Sequence, residues 1–327
     1  MSDLDLVVQE VTEDFHGMIG RSTVMVALYE QVRRIARAGG AVLICGESGV
    51  GKELVTQALH AESDRCGGPL IPVNCAGIPS ELLESELFGH ASGAFTGAQH
   101  ARRGLFVEAH GGTLLLDEIA ELAPEMQAKL LRVLQGGQVR PLGANLERRV
   151  DVRVAAATNR DLEREVARGR FREDLFFRLA TFKVRVPPLR ERGEDVQRLA
   201  LHFIRRFSVE IGREPLDLSD AALSLLSGYP FPGNVRELAN LIERAVTFCC
   251  GEQIVPSDLP ETLHACGAGI PVSSVRARPA RATSMPTLRQ VQLRYVRYVL
   301  DQLGGNKRRA AEVLGIGRRT LYRYLGE

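Results

Sequence analysis

Two clusters of residues in this 327-residue chain have types and spacing that can do chemistry. The first is Gly46-Glu47-Ser48-Gly49-Val50-Gly51-Lys52, followed by Glu53. Glycines at this spacing let backbone N–H groups turn toward an anion. A helix after them adds the partial positive charge of its N-terminus, and Lys52 can reach the outer phosphates of a nucleotide. The second is Gly111-Gly112-Thr113-Leu114-Leu115-Leu116-Asp117-Glu118, a short apolar run ending in two carboxylates. Beside a phosphate loop, Asp117 could hold Mg²⁺ through water, and Glu118 could orient or deprotonate an attacking water. An acidic loop after a strand is common by itself; together with the phosphate loop it reads as a site that binds and hydrolyses ATP. The general loop carries Ser or Thr after its lysine as a metal ligand. Glu53 stands there instead, which leaves the metal's ligands open.

These residues need a sheet to carry them. Ala41–Cys45, Leu70–Val73, Thr113–Leu116 and Arg153–Ala157 read as strands, with helical spacing between them, as in Pro124–Gln135. Such alternation predicts an α/β fold, a parallel sheet with helices on both faces, over residues 15–188. From 189 to 265 the strands stop. Val196, Leu199, Ala200, Phe203 and Phe207 make one helical stripe and Val235, Leu238, Ile242 and Ala245 another, which predicts a small all-helical domain. Residues 266–286, rich in Ala, Arg, Pro and Ser, read as a flexible linker. Thr287 and Gln290 form a plausible capping box for a helix over Leu288–Leu303.

The formal charge of +2 is unevenly spread. From Pro271 to Glu327 there are twelve Lys and Arg against three acids, or +9; the remainder has 30 basic residues against 37 acidic, or −7. A basic cluster at one end is an electrostatic footprint for nucleic acid, though a charge run alone is also a solvated face. Within it, Asn306 can cap a helix Lys307–Leu314, Gly315-Ile316-Gly317 can turn, and Arg318–Leu325 can follow as a second helix. Leu314, Ile316, Leu321 and Leu325 would pack the pair, leaving Asn306, Lys307, Arg308, Arg318, Arg319, Thr320, Tyr322 and Arg323 for double-stranded DNA, as in a helix-turn-helix. The six cysteines have no C-x-x-C spacing, and no apolar run reaches the roughly 18 residues of a membrane helix. Residues 1–14 have no signal-peptide pattern, so the expected location is the cytoplasm, without a membrane partner.

The phosphate loop with Glu53, the pair Asp117–Glu118 and the strand end Ala156-Ala157-Thr158-Asn159 together resemble the AAA+ ATPases. Gly-Glu-Ser-Gly-Val-Gly-Lys-Glu is similar, more narrowly, to the loop of bacterial sigma-54-dependent transcription activators, in which glutamate at that place is usual. The segment Gly93-Ala94-Phe95-Thr96-Gly97-Ala98 resembles that family's signature loop, and Glu84–His90 before it is similar too. The resemblance implies that this loop moves with nucleotide state and touches sigma-54 RNA polymerase. It implies that Thr158 and Asn159 sense the gamma-phosphate, and that Asn74 holds Glu118 away from water until the target is engaged. Arg172 and Arg178, by themselves a salt-bridged surface pair, become candidate arginine fingers acting on a neighbour. The expected active form is then a hexameric ring. Tyr229–Leu238 resembles the second sensor, with Arg236 in a first helical turn, a poor place for a cation unless a phosphate is near. The C-terminus resembles the Fis-type module that ends such activators and dimerises on DNA.

The family often carries a receiver or ligand-sensing domain ahead of the ATPase; here only Met1–Asp14 precede it. The expectation is a compact activator controlled by a separate regulatory protein, or a trimmed chain. A repressor that keeps the ATPase fold and a replication-type AAA+ ATPase are the alternatives; the second would lack the Gly93–Ala98 string.

Overall fold

Alternation of apolar runs with helices does produce a parallel sheet, and one strand more than the pattern marked. The structure, a computed structural model, describes residues 15–94, 100–260, 263, 307–316 and 321. The chain divides into two compact units, Met1–Ile270 and Pro271–Glu327.

In chain order the first unit begins with α1 (Thr23–Ala38), β1 (Val42–Cys45), α2 (Lys52–Ala61), β2 (Leu70–Asn74) and α3 (Ser80–Phe88). Two short strands, β3 (Gly89–His90) and β4 (Arg102–Arg103), are followed by α4 (Leu105–Glu108), β5 (Thr113–Asp117) and α5 (Pro124–Gly136). Then come β6 (Gln138–Val139), β7 (Arg148–Arg149), β8 (Arg153–Thr158), α6 (Leu162–Ala167), α7 (Glu173–Leu179) and β9 (Phe182–Arg185). The central sheet has the order β2-β5-β8-β1-β9, with every neighbouring pair parallel.

Side chains alternate across this sheet with the strand period of two. Leu43, Leu114, Leu116, Val154 and Ala156 point to one face, where Phe106, Leu130 and Leu175 cover them. Val42, Ile44, Leu115, Ala155 and Ala157 point to the other, under Met25, Val32, Val55 and Leu59. Burial on both faces explains why these strands read as unbroken apolar runs rather than as alternating ones. The C-terminal ends of β1, β5 and β8 therefore come together, and the phosphate loop, Asp117 and Thr158 with them.

Residues 189–265 were expected to be all-helical, and the described part adds one short ladder to the helices. Helices α8 (Asp195–Glu210), α9 (Asp220–Gly228) and α10 (Asn234–Phe248) enclose their own core around Phe231, Leu238 and Ile242. Two-residue strands β10 (Asp217–Leu218) and β11 (Gln253–Ile254) pair in parallel beside them. A ladder of two residues is too short to leave a period in the sequence. Ser219 both ends the first of these strands and caps α9, its side chain accepting from the backbone N–H of Ala222.

Two antiparallel excursions also escaped the pattern. Strands β3 and β4 pair into a short stem, and β6 and β7 form a hairpin. The hairpin grips the stem: Leu142 N–H donates to Gly89 O and Ala91 N–H to Leu142 O, each at 2.9 Å. Of the predicted sigma-54 contact, Gly93 and Ala94 stand beside the stem, while Phe95, Thr96, Gly97 and Ala98 lie outside the described residues.

In the second unit, α11 (Lys307–Val313) is the predicted first helix, one residue shorter. Gly315 at φ 65° stops it, and Ile316 N–H closes back on Ala311 O at 3.1 Å, a Schellman-type ending that only a left-handed residue allows. Ala311 and Leu321 are buried. Asn306, Arg318, Arg319, Thr320, Tyr322 and Arg323 lie outside the described residues, as does the side chain of Arg308 and the span Leu288–Leu303.

Phe106 is fully buried and stacks on Phe88 with centroids 5.7 Å apart. Phe106→Ala should lower the unfolding free energy by about 3–5 kcal/mol, read as a shift of the urea midpoint without a change in slope.

Candidate nucleotide site

Strand β1 runs straight into the phosphate loop and α2 leaves it. Gly49 (φ 78°) and Gly51 (φ 100°) take left-handed backbone that a side chain would strain, and a Cβ on Gly49 would run into the Gly233 carbonyl. Lys52 is the first residue of α2 and is buried. Its ammonium donates to Gly46 O at 3.1 Å and Glu47 O at 3.3 Å and lies 3.9 Å from Glu118 Oε1. A buried cation over a row of glycines is the donor set a polyphosphate requires.

Asn74 and Asp117 are register partners at the ends of β2 and β5. Asp117 Oδ1 accepts from Glu118 N–H at 3.0 Å, and Glu118 sits at φ 52°, left-handed without being glycine. Such strain persists where surroundings hold it, and it turns the carboxylate toward Lys52 and toward Asn159 N–H, 3.4 Å from Oε2. Asn74 Oδ1 accepts from Ala76 N–H at 2.9 Å, closing the turn after its strand. Thr158 is buried, its hydroxyl accepting from Arg160 N–H at 3.1 Å. Burial pushes the neighbouring Cys75 thiol up to about 12, with help from Asp117 and Glu118.

Lys52, Asn74, Asp117, Glu118 and Arg236 share one cleft of about 510 Å³. Ser48, Gly49, Val50, Gly51 and exposed Glu53 line it as well. Asn159, Gly46 and Glu47 face a second cleft of about 360 Å³ on the other side of the loop. Arg172 and Arg178 line neither. Arg172 pairs with Asp174 at 2.7 Å, and Arg178 donates to Leu134 O at 3.0 Å.

The far end of the first cleft was not anticipated. Met18, Ile19, Met25, Leu199 and Phe203 make an apolar wall there, of a kind that can receive a flat base. Asp195, fully buried at the start of α8, fixes one side of it. It accepts from Arg21 N–H (2.7 Å), Ser22 N–H (3.0 Å) and Ser22 Oγ–H (2.6 Å). Gly20 must be glycine here, because a Cβ would come within 2.8 Å of Asp195 Oδ2. The sequence signal was a lone acid beginning a helical stripe, which by itself says nothing of a partner 174 residues away.

A five-stranded parallel sheet with a phosphate loop at the C-terminal end of the interior strand β1 and a helical lid over the cleft defines an AAA+ fold. Residues 18–185 match the Sigma-54 interaction domain, 190–270 an AAA+ ATPase lid domain, and 287–327 the Fis family of bacterial regulatory proteins. The chain belongs to the sigma-54-dependent transcriptional activators. It is 46% identical to the regulatory protein AtoC of Escherichia coli over 95% of this chain and 67% of AtoC. It is 51% identical to a Nif-specific regulatory protein of Bradyrhizobium diazoefficiens over 78% of this chain and 43% of that protein. A solved structure of NtrX from Brucella abortus in complex with ATP superposes with a TM-score of 0.77 at 34% identity, covering 99% of this chain and 72% of NtrX. Among the described residues no helix is long and apolar enough to cross a membrane.

Thiol reactivity reports on the acidic end of β5. At neutral pH exposed Cys66 and Cys250 should react with a maleimide, while Cys75 should stay unmodified until the protein is unfolded. Mass spectrometry of the labelled peptides reads this directly. Modification of native Cys75 at the rate of Cys66 would mean that Asp117 and Glu118 stand in a more open site than described.

Proposed function

We propose that the chain hydrolyses ATP in this cleft and uses the energy to remodel the sigma-54 RNA polymerase closed complex into an open one. What carries the reading is the meeting of a left-handed glycine loop, buried Lys52 and strained Glu118 within a single cleft. The glycine N–H groups and Lys52 bind the phosphates. The carboxylate of Glu118 orients a water for attack on the gamma-phosphoryl group and accepts its proton, giving ADP and phosphate. Asp117 would hold Mg²⁺ through water, and the ion would neutralise charge on the outer phosphates. Oxygen donors at the floor of a phosphate site suit that ion. Glu53, on the exposed first turn of α2, is left outside its ligand set.

The remaining roles follow from placement. Arg236, exposed in the first turn of α10, donates to Ser48 Oγ at 3.2 Å and acts as the lid's sensor of the bound nucleotide. Thr158 and Asn159 sense the gamma-phosphate from the end of β8, and Asn74 restrains Glu118 when its own turn rearranges. Arg172 and Arg178, standing away from their own chain's cleft, serve a neighbour's, so the active form is a ring, a hexamer by family resemblance. The Fis-type module binds upstream DNA as a dimer.

The test is open-complex formation at a sigma-54 promoter with ATP, alongside phosphate release. Glu118→Gln should bind ATP but hydrolyse it about 100-fold or more slowly. Thr96→Ala should hydrolyse ATP and open nothing. A wild-type protein that hydrolyses ATP without opening the promoter would sink the activator reading. A fully active Thr96→Ala would sink the loop's role.

A further inference from the structure

The phosphate loop is held from the lid through its carbonyl oxygens. Ser48 O accepts from Asn234 Nδ2 at 3.0 Å, Gly49 O from Arg236 N–H at 3.3 Å, and Val50 O from Arg192 Nη2 at 2.8 Å. A trans peptide points its C=O and N–H in opposite directions. Pinning these three successive carbonyls outward therefore turns the N–H groups of Gly49, Val50 and Gly51 to the inner side of the loop. Those are the donors of an anion nest. Their direction is not set by the loop's glycines, which permit many conformations. It is set by whatever grips the carbonyls.

Asn234 is the centre of that grip. It is fully buried and lies at φ 54°, a conformation asparagine tolerates better than most residues. Its Oδ1 accepts from Leu189 N–H at 2.8 Å, and its Nδ2 donates to Ser48 O and to Glu47 Oε2 at 3.1 Å. Turning the amide over would set its oxygen against two acceptors and its NH₂ against a donor, so the orientation is determined. One side chain thus joins the phosphate loop, the interdomain turn at Leu189 and the start of α10. Glu47 extends the junction: its carboxylate takes a bidentate pair of bonds from Arg190 at 2.6 and 2.8 Å.

We propose that Asn234 is a positioning residue that sets the phosphate-binding N–H groups according to whether the lid is docked, with Glu47 and Arg190 completing the latch. Nucleotide affinity and lid docking are then one equilibrium: what loosens the lid weakens the nest, and a bound nucleotide tightens the lid to the same extent. The Arg190 hydrogen bonds, followed by that from Asn234, hold the Glu47 carboxyl down at about 2. Because the folded value is depressed, the latch's charge is complete above the ordinary 4.5 and is lost only as pH falls toward about 2. The pair is roughly two-fifths exposed, so its own strength is modest and the buried amide carries most of the coupling.

This rests on reading the cleft as an ATP site, and the experiment separates the two ideas. A fluorescent ATP analogue is titrated into wild type, Asn234→Asp, Glu47→Gln and the double variant, with steady-state hydrolysis measured alongside. Asn234→Asp keeps the acceptor for Leu189 but turns a second oxygen on Ser48 O and the Glu47 carboxylate. Its dissociation constant and KM should rise about tenfold or more, with a smaller effect on kcat. Adding Glu47→Gln, whose amide can donate to the new carboxylate, should recover about threefold or more of that loss. Should Asn234→Asp not fold, Arg190→Gln frees Glu47 at an exposed position and should raise the dissociation constant about two- to threefold. A wild type that binds no analogue overturns the nucleotide reading. A wild type that binds, with Asn234→Asp (or Arg190→Gln in its place) binding equally well or the double variant no better than Asn234→Asp, overturns the latch alone.

Discussion

The structure turns on how a flexible glycine loop is made to hold one shape. Strand β1 delivers the loop at its C-terminal end in a buried sheet, and Lys52 returns to bond Gly46 O and Glu47 O from within. Lid groups take the next three carbonyls in turn. Five consecutive carbonyls are thereby occupied by donors, two of them by Lys52 from within the loop and three by groups of the lid. A loop held this way is organised before any phosphate arrives, and the ordering cost is met by folding rather than by binding.

The same lid reaches the other end of the cleft through Asp195, which fastens the Gly20–Ser22 turn and so the apolar wall at Met18 and Ile19. The lid thereby contributes hydrogen bonds at both ends of the cleft. Elsewhere in the unit the β6–β7 hairpin clasps the β3–β4 stem by backbone bonds at Leu142. Gly143, at φ 72°, packs so closely that a Cβ there would meet Ala94 Cβ at 2.9 Å. Between cleft and stem lie β5 and α3, both packed into the same core as Leu87 and Leu116.

Sequence reasoning located the candidate groups and missed the bonds that join them. The phosphate loop, Asp117–Glu118, Thr158–Asn159 and the helix bearing Arg236 were legible because each is a local string on a strand end or helix start. Strands β1, β5 and β8 were legible because burial on both faces leaves an apolar run, whereas the edge strand β9, half exposed, leaves none. Asp195, Asn234 and Glu47 were opaque as partners because hydrogen bonds across 143 to 187 residues leave no spacing to read. Arg153 is similar: it opens β8, and nothing in its spacing marks that it is buried and donates to Ala36 O, Ile35 O and Gly40 O at and just past the end of α1. The pairs β3–β4, β6–β7 and β10–β11 are two residues long, below the length at which alternation can show.

The sequence by itself determined which groups stand at the phosphate end of the cleft and on which elements they ride, because glycine spacing, strand runs and helix starts are set by nearest neighbours along the chain. Only the tertiary structure decided how those groups point. Glu118 is turned by a left-handed backbone between Asp117 and Ile119, and the loop's carbonyls are turned by residues of a lid more than a hundred positions away. Direction in a hydrogen-bonded site belongs to the partner as much as to the residue, and partners meet only once the sheet and the lid have packed.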